Sequence, residues 1–456
     1  MGFYIEDYLP LFMFGVLALL LFCGYPVAFV LGGIALGFGF VGMWFDVFDF
    51  VQFFSIIVRI WGTIAENPVL TAIPMFIFMG TMLERSGVAH DLLHCLQVLL
   101  RRVPGALALS VTAMGTILAA TTGIIGASVV MMTLLALPVM LERRYDSALA
   151  TGTIAASGTL GILIPPSIML VIMADLLARS VGNLFVAALF PGLLLAGLYG
   201  VYILVVCSID KRLAPKLDAD VGPQNAIDLV AMVIKSFVPP VLLIFLVLGS
   251  ILGGWATPTE AAGVGGFGAL VLAGLKGRLN WKELRDVVER SALTGAMLFG
   301  IFVGATAFSY IFRALGGDGI VTDIVESLGF GSWGLLLVLM GIVFFLGFFF
   351  DWIEITLIVL PIFAPIIALL DFGDHVAKQD VVYWFAILVA VNLQTSFLTP
   401  PFGFALFYMK GVAPPEVRLQ DIYRGIIPFV MLQLVGLAAV MIWPEIALWL
   451  PAQVLD

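Results

Sequence analysis

At 456 residues, 62% hydrophobic and only 11% charged, the chain belongs in a lipid bilayer. Its apolar content supplies about ten crossings of roughly 20 residues each, and its longest polar stretches, around residues 211–228 and 276–290, are too short to fold alone. A soluble domain of any size is thereby excluded, one integral membrane domain over residues 1–456 is expected, and the net charge of −9 says little about ligands.

The N-terminus contains Glu6 and Asp7 and no basic residue before them, so a cleaved signal peptide is not expected. Cys23, Cys95 and Cys207 are scattered, with neither metal-ligand spacing nor a disulfide framework. No Walker-type glycine loop is present, so ATP hydrolysis by this chain is not expected. His90, His94 and His375 fall near inferred loops and form no embedded cluster with Cys and carboxylates, so an intramembrane enzyme has little support. No cofactor is expected.

Basic residues cluster at Arg101-Arg102, Arg143-Arg144, Lys211-Arg212-Lys216, Lys276-Arg278-Lys282-Arg285 and Arg418-Arg424, and the positive-inside rule places all of them on the cytoplasmic face. Arginine pairs therefore bracket residues 106–140 at both ends. That segment is too short for two full crossings and reads as a re-entrant hairpin turning near residues 121–126. Such a turn is tolerated only where protein or water satisfies its backbone. Five crossings follow, at about residues 148–177, 184–207, 238–253, 261–275 and 292–312. An odd number delivers the chain to the opposite face, where a second hairpin covers residues 333–370. Residues 83–100 and 281–294 mix charge with apolar residues at helical spacing and read as helices along the interface or as ordinary connectors. Thr257 and Pro258 read as a cap and first helical position, beside Glu260, and Glu66-Asn67-Pro68 as another helix start. Arg313, Lys235 and Lys410 sit near inferred boundaries, where snorkelling is the default explanation.

The two hairpins and the segments after them repeat. Laid over each other, Ser128 falls on Asp351, Thr133 on Thr356 and Pro138 on Pro361. Next, Ser157 falls on Asn392 and Gly161 on Ser396, and Pro165-Pro166 on Pro400-Pro401. Similar sequences entering from opposite faces make an inverted repeat, with a first half of about residues 1–210 and a second of about 235–456. Paired interrupted helices at membrane depth point to a secondary transporter's binding site. A channel is disfavoured, because hairpins closing on a midplane site suit alternating access.

Proline removes a backbone donor and clashes with the preceding turn, which frees carbonyls before Pro165 and Pro400. With the hydroxyls and amides of Ser128, Ser157, Thr159, Asn392, Thr395, Ser396 and Thr399, these make an oxygen cage suited to a hard cation such as Na⁺. The resumed half-helices aim partial positive charge at the same region, which favours an anion, and the substrate region is read as Thr122, Gly123, Pro165, Glu354 and Pro400. Asp351 is read either as a cation ligand or as a structural acceptor holding the tip. Glu354, three residues on, shares its helical face and is assigned to orienting the tip or carrying protons. No Lys or Arg lies within the tips or breaks, so an anionic substrate there is expected to be neutralised by cations, helix ends or hydroxyls.

Together, the run Ala120-Thr121-Thr122-Gly123-Ile124-Ile125-Gly126-Ala127-Ser128 and residues 153–167, 256–262, 351–361 and 391–408 carry a resemblance over most of the chain. It resembles the large membrane subunit, the DctM-type permease, of tripartite ATP-independent periplasmic (TRAP) transporters. The resemblance implies an all-α polytopic membrane protein with inverted repeats, two re-entrant hairpins and two broken helices, working as an elevator in the bacterial inner membrane. It implies a Na⁺ gradient as driving force, a periplasmic substrate-binding protein delivering an organic acid, and a separate small four-helix membrane subunit, since no extra helical block is fused here. Its Na⁺ sites map onto Ser128, Gly158, Gly161, Asp351, Thr395, Ser396 and Thr399. The first tip departs from the family, reading Thr-Thr-Gly-Ile-Ile-Gly-Ala-Ser where many members carry a Ser-Gly-Ser run with a nearby Asp. The alternative is a stand-alone ion-coupled dicarboxylate carrier needing no binding protein.

Overall fold

The computed structural model describes residues 8–122, 125–215, 222–223, 225–400 and 403–454, and every regular element among them is helical. The first half forms α1 (Leu9–Phe22), α2 (Val27–Trp44), α3 (Phe50–Ile60), α4 (Ala72–Arg85), α5 (Val88–Leu100), α6 (Ala106–Thr122), α7 (Ile125–Glu142), α8 (Ser147–Thr159), α9 (Ile168–Leu176) and α10 (Val181–Ile209). The second forms α11 (Ala226–Ser236), α12 (Val238–Leu252), α13 (Pro258–Leu275), α14 (Trp281–Ala314), α15 (Gly317–Leu328), α16 (Ser332–Leu346), α17 (Trp352–Leu369), α18 (Val381–Leu398), α19 (Phe404–Val412), α20 (Leu419–Ile442) and α21 (Glu445–Val454). Among the described residues nine spans are long and apolar enough to cross a bilayer, or ten with the pair containing α3 and α4, bent by 55°.

Local chemistry sets the ends of these helices. Asp146 accepts from the Leu149 amide at 2.9 Å and starts α8. Pro258 opens α13 under a capping box in which Thr257 accepts from the Glu260 amide and Glu260 accepts from the Thr257 amide at 2.7 Å. Glu260 thus has a structural task at this end. Thr257→Ala is expected to lower stability by about 1 kcal/mol, read as a modest loss of melting temperature in detergent; an unchanged value would remove the cap from the account.

Both hairpins return to the face they left. The Leu107 amide, at the start of α6, donates to the Tyr145 hydroxyl just past α7, at 3.2 Å. In the second hairpin the Asp371 amide donates to the Ser332 hydroxyl at 3.3 Å, and Trp333 stacks edge-on against Phe372 at 5.3 Å. Several basic segments distant in the chain meet one another or their neighbours. Lys276 pairs with Asp91, Arg85 lies 3.8 Å from Glu283, and the Asp146 amide donates to Leu213 O. Elsewhere, Asn67 donates to Asp175 at 2.6 Å and Thr259 to Pro68 O at 2.9 Å.

Packing is reciprocal between the halves. α4 packs on α13 as α14 packs on α2, α7 packs on α19 as α17 packs on α9, and α8 packs on α20 as α18 packs on α10. This exchange of partners is what an internal two-fold produces. α8 and α18 are buried along nearly their whole length, so the fold wraps its two interrupted helices most tightly.

α14 differs from expectation. Residues 281–294 do not form a separate interfacial helix; they continue into the crossing as one 34-residue helix about 51 Å long. No Gly or Pro interrupts its charged first turns, so the backbone has no reason to bend there.

Candidate functional site

The interruptions fall where the proline pairs lie. After α8 the chain makes a short 3₁₀ turn at Leu160–Ile162, passes through buried Pro165, and resumes as α9. After α18 it passes through Thr399 and Pro400 and resumes as α19. Neither Ser167 before α9 nor Gly403 before α19 provides a side-chain cap; the Ser167 hydroxyl instead donates to Ile162 O at 2.6 Å. The first amides of both half-helices therefore face the break without a side-chain acceptor.

Small residues let the hairpins press against these breaks. A Cβ on Gly158 would stand 2.4 Å from Val129 Cγ2 and 3.3 Å from Val129 Cα, so the first hairpin lies directly on α8. A Cβ on Gly347 would stand 1.9 Å from Ser396 Oγ, so the second lies directly on α18. The register-matched pair Ser157 and Asn392 each hold the hairpin of their own half. Ser157 donates to Thr112 Oγ1 on α6 at 3.3 Å, and Asn392 donates to Met340 O on α16 at 2.7 Å.

The four half-helix starts meet. A cavity of about 80 Å³ is lined by Ile125 and Gly126 of α7, Ile168 of α9, Asp351, Trp352 and Ile353 at the head of α17, and Phe404 and Tyr408 of α19. Thr294, Met297 and Leu298 of α14 close the remaining wall. Each helix start carries roughly half a positive charge on its unsatisfied amides. Three of the starts come without a charged side chain. At the fourth, Asp351 accepts from the Trp352 amide at 2.8 Å and its own amide donates to Glu354 at 2.9 Å.

Of the sequence-derived residues, Asp351 lines this cavity. Glu354 does not: beyond its bond to the Asp351 amide, it borders a separate apolar groove formed with Phe14, Leu17 and Ala18 of α1. The capping box turns its carboxylate back onto the Asp351 amide, the neighbour that the three-residue spacing gives it. Ser128 is buried in the first turns of α7. Thr159 Oγ1 donates to Ala156 O at 2.9 Å, Thr395 to Val391 O at 3.3 Å, Ser396 to Leu393 O at 2.8 Å and Thr399 to Thr395 O at 2.7 Å. These hydroxyls give their protons to their own helices and keep oxygen lone pairs as acceptors, one of which, on Thr159, Gln433 approaches at 3.4 Å. Gly161 lies in the 3₁₀ turn and Pro400 is exposed at the second break. Thr122 ends α6, while Gly123 and Pro401 lie outside the described residues.

Several polar residues of this core escaped the sequence reading. Gln433 of α20 donates to the Tyr199 hydroxyl at 2.7 Å and to Thr159 Oγ1 at 3.4 Å, joining the first break to the second half. Gln394 of α18 is fully buried, and its amide has no hydrogen-bond partner among the described residues. Tyr408 lays its ring on Gly126, where a Cβ would stand 3.0 Å from Cε2 and Cζ. A buried glutamine within an apolar run was the one available signal for the first two. Arg313, exposed near the boundary, also donates to Pro361 O of α17 at 2.7 Å.

Among the described residues no group of three or more His, Cys, Asp or Glu could hold a metal ion. The hydroxyl oxygens at the breaks are hard donors, which suit an alkali cation rather than a transition metal, whereas the expected freeing of carbonyls is not seen at Leu160 O, Ile162 O and Ser396 O, which accept bonds from within the breaks.

Residues 14–446 match the family model described as "Tripartite ATP-independent periplasmic transporter, DctM component". The chain is 31% identical over 400 residues to the C4-dicarboxylate TRAP transporter large permease protein DctM of Pseudomonas aeruginosa, covering 87% of this chain and 89% of that one. It is 29% identical to the ectoine/5-hydroxyectoine TRAP transporter large permease protein UehC of Ruegeria pomeroyi, covering 84% and 85%. The fold is similar to the crystal structure of the Alcanivorax borkumensis YdaH transporter, which has an unusual topology, at a TM-score of 0.61 and 15% identity over 89% of this chain and 90% of that one. Matched over nearly its whole length, the chain belongs to the DctM family of TRAP large permeases, multi-pass proteins of the inner membrane.

Proposed function

We propose that, within this family, the chain is the permease of a Na⁺-coupled, binding-protein-dependent importer of an organic acid. The observation that carries the reading is the convergence of four helix starts, two from each half, on one cavity. A carboxylate there meets amide dipoles in place of a fixed Lys or Arg. Na⁺ ions held by the oxygen-rich breaks beside it supply the remaining positive charge, so cargo and ion stabilise each other and cross together. The hairpins and broken helices move as one body against α2, α4, α13 and α14, an elevator-like exchange of faces. A periplasmic binding protein delivers the acid, and a small four-helix membrane subunit completes the assembly.

The test is uptake by the chain reconstituted with both partners, scanned over succinate, isethionate and ectoine with either a Na⁺ or a K⁺ gradient. Uptake of at least one acid that requires Na⁺ is expected. Thr399→Val is expected to raise the half-saturating Na⁺ concentration about tenfold, the equivalent of one lost ligand of about 1.4 kcal/mol. Equal uptake under K⁺ would overturn the coupling, and an unchanged Na⁺ response would remove Thr399 from the ion's shell.

A further inference from the structure

Between α14 and α17 lies a second and larger cavity, of about 440 Å³. α14 lines the tip cavity with Thr294 and Leu298 and the larger one with Phe302, Ala305, Ser309 and Arg313. Those spacings of three and four keep to one helix face. α17 does the same, with Ile353 at the tip and Leu357, Pro361, Ala364 and Ala368 beyond it. The two cavities therefore open on the same faces of α14 and α17, one farther along each helix than the other. The larger sits on the face opposite the basic clusters, beside Asp175 and its partner Asn67.

Its charge is unexpected for that face. Arg59, Arg179 and Arg313 all line it, although the positive-inside rule keeps Lys and Arg on the other side. The Arg59 guanidinium lies 4.7 Å over the Tyr310 ring and that of Arg179 lies 5.7 Å over Tyr383. Neither has a carboxylate at ion-pair distance among the described residues; Arg313 lies 3.8 Å from Asp318 and is tied to Pro361 O. The lining's own carboxylate, Asp175, accepts from Asn67. A guanidinium seated on a ring keeps its N–H edge free, and that edge matches the two oxygens of a carboxylate or sulfonate.

We propose that this chamber is an outer antechamber, in which Arg59 and Arg179 capture an organic anion before it moves along α14 and α17 to the tips. The inference rests on the reading that the cargo is an organic acid. It adds a second binding step, governed by fixed cations instead of helix ends.

The test needs no transport. In the reconstituted complex, with exposed Cys23 replaced by Ala and Cys95 and Cys207 buried, Ser309→Cys places a thiol in the chamber. It is treated from the outer face with the anionic sulfonatoethyl and the cationic trimethylammonioethyl methanethiosulfonates. Relative to a free thiol, the anionic reagent is expected to gain on the order of tenfold. Arg59→Gln with Arg179→Gln should abolish that gain, and Arg59→Lys with Arg179→Lys should retain most of it. Thr306→Cys gives the same readout should Ser309→Cys fail to assemble. Reagent ratios indifferent to the arginines at both positions would overturn the antechamber. A charge preference without uptake of any acid would instead sink the transport reading alone, and uptake with indifferent labelling would sink the antechamber alone.

Discussion

Valine in place of Gly347 is expected to reduce uptake on the order of a hundredfold while the protein still reaches the membrane. The first atom of any side chain there would stand 1.9 Å from Ser396 Oγ and 2.4 Å from Ser396 Cβ. Rotating the Ser396 hydroxyl away breaks its bond to Leu393 O and leaves the Cβ clash in place. The hairpin must lift off α18. Overpacking of this kind costs about 1–3 kcal/mol in stability, but the larger effect is positional, since a shift of about 1 Å at a reacting or binding centre can cost a factor of about 10². The tip that moves carries Asp351 and the start of α17, one wall of the 80 Å³ cavity. Adding Ser396→Gly to Gly347→Ala should recover part of the lost melting temperature by making room, without restoring uptake, since it also removes the Ser396 hydroxyl. Uptake by the valine variant within twofold of the parent would show that hairpin contact with α18 does not set the site.

Alanine at Gly152 should have the largest effect on stability. A Cβ there would lie 2.1 Å from Gly425 O, and one on Gly425 would lie 2.1 Å from Ala148 O. Both obstacles are backbone, so no side chain can swing aside and α8 and α20 must separate. Close crossings on small residues are a principal means of helix association in lipid, where apolar side chains gain little by leaving the hydrocarbon. A loss of about 3 kcal/mol is expected, at the upper end for overpacking, read as a lowered melting temperature of the purified protein. Gly158→Ala should be milder, because the atom it meets first, Val129 Cγ2 at 2.4 Å, belongs to a side chain that can turn. Equal melting temperatures for the Gly152 variant and the parent would contradict the crossing.

The hairpins were legible because two arginine pairs bracket a segment too short to cross twice, and because the second copy repeats Pro138 as Pro361. The breaks were legible because Pro165 and Pro400 cannot continue a helix. What the residue pattern lacked was partner identity. Helices buried all round, such as α8 and α18, have no polar face to announce which neighbour they meet, so Gln433 reaching Thr159 and Tyr408 reaching Gly126 could not be foreseen. Glu354 shows the limit of spacing arguments: helical periodicity set its position, but a local bond to the Asp351 amide set its direction. Arg313 likewise reaches solvent as its boundary position implies, while its bond to Pro361 O was not legible in the residue pattern.

The exchange of partners between α7 and α19, and between α17 and α9, means that neither duplicated half owns a complete cradle. A single half standing alone would need a second copy, clasped about a dyad, to complete its site, each lending its loop to the other.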